Sequence, residues 1–454
     1  MLFNSYIFVF LFLPLCILGY YILNHFRQIK MAKLFLLCMS LWFYGFFHVE
    51  YLVLIIVSIL ANYGFSTALI YLNTNGIRKP WGRITLLAAL LFNLGMLFYF
   101  KYYDFFIETI NGIFQCNFSL AGVLLPLGIS FFTFQQVSYI VDSYRGEVSK
   151  YHFLDYALFV SFFPQLIAGP IVTHEELVPQ FLNDWNKRFN WDSFAKGIYI
   201  FALGLAKKVL LADTFGNAVN AGFSNIAGLN STDAFITMLC YTLQIYFDFS
   251  GYCDMAIGIG AMLNIELPLN FNSPYKALTI TEFWDRWHMT LTRFFTKYVY
   301  IPLGRNRKGM IRTYLNIMIV FLLSGLWHGA NWTFLLWGAA HGIFTVITKI
   351  FRRFFDKMHP ALNWMITFTF VNITWVFFRA NSIKDAVHLL SRIARLDFGP
   401  IGSAAISNFN LMEFNFLTWH IDFFNHHPGI LFILFIAIVL FLILGSENAY
   451  ERYF

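Results

Sequence analysis

The sequence predicts an all-α, polytopic membrane protein, and three observations carry that prediction. The 454 residues are 59% hydrophobic and 12% charged, too few charges for the surface of a soluble protein of this size. Apolar runs of spanning length recur along the chain, where a membrane barrel would show short alternating segments. The third is aromatic excess, with 57 Phe, 24 Tyr and 12 Trp, which suits lipid-facing and interfacial positions. Net charge is a modest +7 and reads as cytoplasmic loop charge, not as a nucleic-acid footprint. Cys16, Cys38, Cys116, Cys240 and Cys253 are scattered, so their spacing suggests neither a disulfide framework nor a metal site.

Taken in order, the first apolar run has no preceding basic residue and no small-residue cleavage site, so it reads as a retained first span. A short apolar piece (Leu34–Phe47) and a span (Tyr51–Leu72) follow. They lie between basic loops carrying Arg27, Lys30 and Lys33, then Arg78, Lys79 and Arg83, which positive-inside places in the cytoplasm. Further spans are expected at Ile84–Phe100, Val123–Val141, Phe153–Val172, Phe194–Ala212 and Thr232–Ile265. The last contains Asp248 and Asp254, for which helix-to-helix gluing is the favoured role. Between Asn264 and Arg312 eight Lys and Arg face three Asp and Glu, marking the cytoplasmic face. Within that stretch Trp284, Trp287, Leu291 and Phe294 recur at helical spacing, so an amphipathic or re-entrant helix is expected. Asp285 could share the face of His288, and Glu282 should pair with Arg286.

Next comes LNIMIVFLLSGLWHGANWTFLLW, inside a stretch of 36 residues (313–348) without Asp, Glu, Lys or Arg. As one helix it would run about 54 Å, well beyond a hydrocarbon core of about 30 Å. It must bend, tilt or turn back, and Gly325, Gly329 and Gly338 offer places to do so. His328 sits in its middle, sharing a face with Ser324 and Asn331 if the backbone there is helical. An imidazole at that depth is either functional or a hydrogen-bonded helix glue, and the residue alone leaves both readings open. Spans at Ala361–Phe378 and Ile430–Leu444 close the chain, with Arg379–Pro428 between them as the longest extramembrane segment of this end. Ten or so membrane-embedded segments in one domain, 1–454, with no repeat and no separable soluble part, are expected.

No phosphate-cradling loop, nucleophile elbow or metal-protease pair is present. What remains is His288 in the basic segment and His328 in the uncharged one. A buried imidazole stays neutral near pH 7 and can accept a proton from an attacking hydroxyl. His288 could orient a substrate or complete a relay, or be no more than a rim histidine beside Asp285.

The segments LPLGISFFTFQQVSYIVDSYRG (Leu125–Gly146), FFPQLIAGPI (Phe162–Ile171), YFDFSGYCDMAIGIG (Tyr246–Gly260), the run from Asn270 to Gly309 and SGLWHGANWTFLLWG (Ser324–Gly338) together resemble the membrane-bound O-acyltransferase family, in the bacterial branch that acetylates alginate and peptidoglycan. The resemblance implies helices around a central tunnel, with His328 as the central catalytic histidine and His288 as the second histidine of the site. Asn270, Asp285 and Arg286 match motif positions, and Ser324 and Asn331 join them as candidate substrate-binding residues. It implies acetyl-CoA as cytoplasmic donor with no resident cofactor or metal, a cell-surface glycan as destination, and a periplasmic or membrane-anchored acetyltransferase as partner. D-alanyl transfer to teichoic acid is the alternative within the family. A proton-coupled transporter or flippase using Asp248, Asp254 and His328 is the alternative outside it.

Overall fold

The computed structural model describes residues 1–402, 406, 427–446 and 448. Among them there is no β-strand, and one isolated bridge pairs Phe271 with Trp287. Among the described residues seven helices are long and apolar enough to cross a bilayer: Phe8–His25, Glu50–Thr74, Pro80–Phe114, Met310–His328, Trp332–Ile350, Pro360–Arg379 and Pro428–Gly445. Their outward faces are apolar, as a lipid solvent requires. The chain packs as two compact units, Met1–Ala202 with Tyr252–Leu269, and Leu203–Gly251 with Asn270–Phe454.

The first unit contains helices α1 (Leu13–His25), α2 (Ile29–Gly45), α3 (Glu50–Thr74), α4 (Arg83–Leu97), α5 (Tyr103–Phe114), α6 (Ile129–Arg145), α7 (Phe153–Ser161), α8 (Phe163–Leu166) and α9 (His174–Leu182). Three expected spans differ. The fourth runs further, from Pro80 to Phe114. The span expected from Val123 starts only at Ile129, because Gly128 takes φ +71° and its turn caps the helix. Phe153–Val172 is not one span: the helix stops at Ser161, restarts over the four residues of α8 with Pro164 in its first turn, and then turns over residues 167–169 before reaching α9. Buried amides hold this unit together where apolar contact gives no preference for protein over lipid. Asn62 and Asn93 exchange side-chain hydrogen bonds of 3.1 and 2.6 Å, and Gln136 donates to Ser58 at 2.9 Å.

α10 (Trp191–Ala206) and α11 (Asp213–Ser224) come next, joined by a π-turn over Lys207–Ala212, and are followed by α12 (Ser231–Met262). In the second unit Lys208 bridges Asp248 of α12 at 2.6 Å and Asp213 of α11 at 2.8 Å, so Asp248 does glue helices. The expected amphipathic helix of this unit is broken into α13 (Ile280–Arg286) and α14 (Met289–Phe295). α15 (Met310–His328) and α16 (Trp332–Ile350) follow, then α17 (Arg352–Lys357), α18 (Pro360–Arg379), α19 (Ile383–Ala394) and α20 (Pro428–Gly445). Of the segment Arg379–Pro428, residues 403–405 and 407–426 lie outside the described residues.

The long uncharged run turns back on itself. α15 ends at His328, Gly329 and Ala330 make the corner, and Asn331 caps α16 by accepting the Thr333 N–H. The glycines serve the hairpin by letting backbones touch. A Cβ on Gly325 would lie 2.3 Å from the Phe334 carbonyl oxygen, and one on Gly338 would lie 2.4 Å from that of Phe321.

Candidate active site

In the second unit the ring centroids of His288 and His328 are 6.3 Å apart, although 40 residues separate them in sequence. His288 arrives by a backbone device. Residues Asn270–Asn272 lie antiparallel to Arg286–Met289: Met289 N–H donates to the Asn270 carbonyl, Asn272 N–H to the Arg286 carbonyl, and Phe271 bridges Trp287. Trp287, 2% exposed and packed on Phe271, Phe283 and Trp375, anchors this ladder. The helix therefore stops at Arg286, and His288 takes φ +48°, a left-handed conformation costing roughly 1–2 kcal/mol for a non-glycine residue. Such strain tends to persist where function requires it.

The same ladder brings Asn270 against the imidazole. Asn270 Oδ1 lies 3.1 Å from His288 Nδ1, accepts the Thr290 hydroxyl at 2.9 Å and lies 3.3 Å from the Thr290 N–H. Phe249 packs edge-on against the ring at 4.7 Å. His288 is fully buried, its Nε2 meets no hydrogen-bond partner among the described residues, and burial pushes its pKa down to about 3. It is a neutral imidazole near pH 7.

His328 is the last residue of α15 and is half-buried, so it can be reached. Its ring sits among Trp327, Trp337 and Phe378 at 4.9, 5.2 and 5.0 Å. Ser324 is buried one turn earlier on the same helix. His341 of α16 is a contrast. Its Nδ1 accepts from the Trp284 indole at 3.2 Å and its Nε2 meets Thr374 Oγ1 at 3.0 Å, so both nitrogens are satisfied. A histidine bonded at both nitrogens is structural, whereas one buried with a nitrogen open invites a substrate.

The other candidates are placed differently. Asp285 does not share a helix face with His288, because the helix breaks between them, and its side chain is exposed. Arg286 pairs with Glu282 at 2.9 Å as the spacing predicts, and it also bonds the Asn272 carbonyl at 3.3 Å. Asn331 lies beyond the end of the helix that carries His328. Its amide caps α16 and donates to the Asn381 carbonyl at 3.0 Å. Sequence spacing missed Thr290 and Phe249, since nothing in a linear pattern announces a contact made through a helix break.

In the first unit one further group has the composition of a metal site: Asp142, His174 and Glu175, whose ligand atoms lie within 4.8 Å of one another. His174 Nδ1 meets the Tyr151 hydroxyl at 3.1 Å, its Nε2 lies 3.5 Å from Asp142, and Arg145 approaches Asp142 at 3.7 Å. The guanidinium and the carboxylate both belong to α6, and the approach of His174 to Asp142 is what links α6 to α9.

Comparison with known proteins identifies the family. The family model for MBOAT, the membrane-bound O-acyltransferase family, matches residues 36–383. The peptidoglycan O-acetyltransferase of Helicobacter pylori is 44% identical over 427 residues, covering 87% of this chain and 80% of that protein. The probable alginate O-acetylase AlgI of Pseudomonas aeruginosa is 39% identical over 417 residues, covering 90% and 78%. More distant is the teichoic acid D-alanyltransferase of Bacillus subtilis, 29% identical over 267 residues and covering 54% and 66%. With helices that cross the bilayer repeatedly and a match over most of its length, the chain belongs to the membrane-bound O-acyltransferase family and is an acyltransferase.

Proposed function

We propose that this protein takes an acetyl group from acetyl-CoA at the cytoplasmic side of a bacterial inner membrane and passes it across for O-acetylation of a cell-surface polysaccharide. The observation that carries the reading is the His288–His328 pair. Two imidazoles stand 6.3 Å apart, one of them buried with an open Nε2 and the other reachable. In this reading the thioester meets His328, and the pair handles the proton released by the attacking hydroxyl. The names of the relatives favour peptidoglycan or alginate-like acceptors. The D-alanyl reading has weaker support, because its relatives match just over half of the chain.

The excess of basic residues between Asn264 and Arg312 suits the anionic nucleotide of the donor, with a narrow tunnel admitting the pantetheine arm alone. Ser324 lines the donor path beside His328, and Asn270 serves the site through His288. Asp285, Arg286 and Asn331 would act from the rim, since each lies on an exposed or half-buried position. A second, periplasmic or membrane-anchored acetyltransferase would receive the acetyl group and deliver it to the glycan, because a histidine at membrane depth cannot present it to a bulky polymer.

The test is reconstitution. The purified chain in liposomes should cleave acetyl-CoA slowly and acetylate polymer poorly, and adding the partner should raise transfer. Neither should occur with His328→Ala. Full thioester cleavage by that variant would remove the histidine pair from the chemistry. Efficient polymer acetylation by the unaided wild-type chain would remove the partner and leave the enzyme standing.

A further inference from the structure

We propose that Asn270 and Thr290 are positioning residues that lock His288 in its Nδ1–H tautomer, making His288 Nε2 the proton-accepting atom of the acyl transfer. The inference rests on the acyl-transfer reading of the histidine pair and adds to it a direction for the proton.

One group beside His288 has a fixed hydrogen-bonding role. The backbone N–H of Thr290 can only donate, and it faces the Asn270 side-chain atom assigned as Oδ1 at 3.3 Å. An amide NH2 in that place would set donor against donor, so the atom facing the Thr290 N–H is the oxygen. The Thr290 hydroxyl then donates to the same oxygen at 2.9 Å. An oxygen fixed as acceptor also faces His288 Nδ1 at 3.1 Å, so Nδ1 must carry the hydrogen. A neutral imidazole has one N–H, and here it is spent on Asn270. Nε2 is left with its lone pair, fully buried and with no partner among the described residues. An acceptor desolvated and unused is unfavourable, and the cost is recovered when a hydroxyl arrives.

Chain geometry explains why this clamp needs the helix break. Asn270 and Thr290 reach one oxygen because residues 270–272 run beside 286–289, and His288 can turn its ring to them from its φ of +48°. The step it supports balances. The acceptor O–H gives its proton to Nε2 as its oxygen bonds the acyl carbon. The carbon–sulfur bond breaks, and the proton passes to the departing thiolate. The titratable group in ring contact with His288 is His328 on α15. From α12 the nearest carboxylate in sequence to Phe249 is Asp248, engaged by Lys208. On its own segment Asp285 is exposed, Arg286 is held by Glu282, and Arg293 lies on α14.

Two measurements on the full-length chain in detergent or nanodiscs decide the matter. In the first, nitrogen NMR of histidine-labelled protein, with His288→Gln to identify the signal, should show His288 protonated at Nδ1 and bare at Nε2. A wild-type spectrum with the hydrogen on Nε2 overturns the proposal, whatever the variants do. In the second, Asn270→Leu should lower kcat by about 100-fold with KM nearly unchanged, in line with loss of a fixed general base. Asn270→Asp keeps an acceptor for all three donors and should retain activity within about tenfold. Its added negative charge raises the proton affinity of His288, so the acid limb of its pH–rate profile should move to higher pH. Thr290→Val, which keeps the backbone donor, should fall between the two. Equal loss in Asn270→Leu and Asn270→Asp with no movement of the acid limb would show a merely structural asparagine. Undiminished transfer by His288→Gln would instead defeat the underlying reading of the pair, a result distinct from either.

Discussion

Replacing Gly325 by alanine tests how the hairpin of α15 and α16 positions His328. The new Cβ would meet the Phe334 carbonyl oxygen at 2.3 Å and the Gly338 Cα at 3.4 Å. The closest favourable carbon–oxygen contacts are about 3.3–3.6 Å, so the two helices must part by about 1 Å. The obstacle is backbone, so no rotamer change relieves it. Overpacking of this kind costs about 1–3 kcal/mol. His328 stands three residues further along the displaced helix, and a misplacement of about 1 Å at a reacting group costs about 100-fold in rate. Gly325→Ala should therefore lower the thermal midpoint in detergent and reduce thioester turnover far more than the stability loss alone explains. Gly338→Ala, which meets the Phe321 carbonyl oxygen at 2.4 Å, should do the same. Gly95→Ala, with nothing within 4 Å, should be neutral or slightly stabilising. Normal turnover and midpoint in Gly325→Ala would refute the close-packed hairpin as the support of the site.

The remaining predictions concern the histidines and the sidedness of the chain. His341→Ala should destabilise by about 2–4 kcal/mol, since it opens a cavity and leaves the Trp284 indole and the Thr374 hydroxyl without their partner. His328→Ala should leave the thermal midpoint nearly unchanged and abolish transfer; the reverse pattern would exchange their roles. Because burial holds His288 near 3 and its ordinary value is 6.5, the unfolded chain binds one more proton between those values. Stability should rise with pH across that window, be complete above about pH 6.5 and be lost as pH falls toward 3; a His288→Gln variant that keeps the same slope would show that other groups cause it. Single cysteines at Arg305 or Lys308, in a background lacking the native five, should react with impermeant maleimide in inverted vesicles and not in spheroplasts. Labelling from outside would move the basic segment away from the donor side.

Legibility in the sequence followed the range of the forces involved. Lipid acts on every residue of a span, so the apolar runs at Tyr51–Leu72, Ala361–Phe378 and Ile430–Leu444 could be located to within a few residues. The Glu282–Arg286 pair was equally legible, because helical spacing dictates it. Reading failed where one residue broke a periodicity. At Gly128 a left-handed turn delayed a helix by several residues, and at Phe162–Pro164 an expected span fell into pieces. The same failure occurred in the basic segment, where Trp284, Trp287, Leu291 and Phe294 keep helical spacing across a break that spacing cannot reveal. The large aromatic groups are buried on both sides of the break, so the hydrophobic signal is preserved while the backbone departs from the helix.

That break also explains why the candidate site was legible in its histidines and not in their partners. In a continuous helix the neighbours of His288 would be residues three and four positions away, Asp285 among them, and the ring would face a carboxylate. A carboxylate there would raise the proton affinity of the imidazole and favour its cation. The fold instead spends backbone strain at His288 to exchange Asp285 for Asn270, a neutral acceptor that orients the ring without charging it. A buried site that must hold a neutral base is better served by an amide than by an acid, because an extra negative charge at that depth would itself need a partner. The helix ends at His328 follow the same logic on the other side of the pair. Ending α15 at the histidine, and not carrying the helix through it, places His328 at the corner that Gly329 and Ala330 make with α16. Both imidazoles are thus placed by interruptions of helices, and interruptions are where backbone can deviate from the regular hydrogen-bonded form without facing lipid.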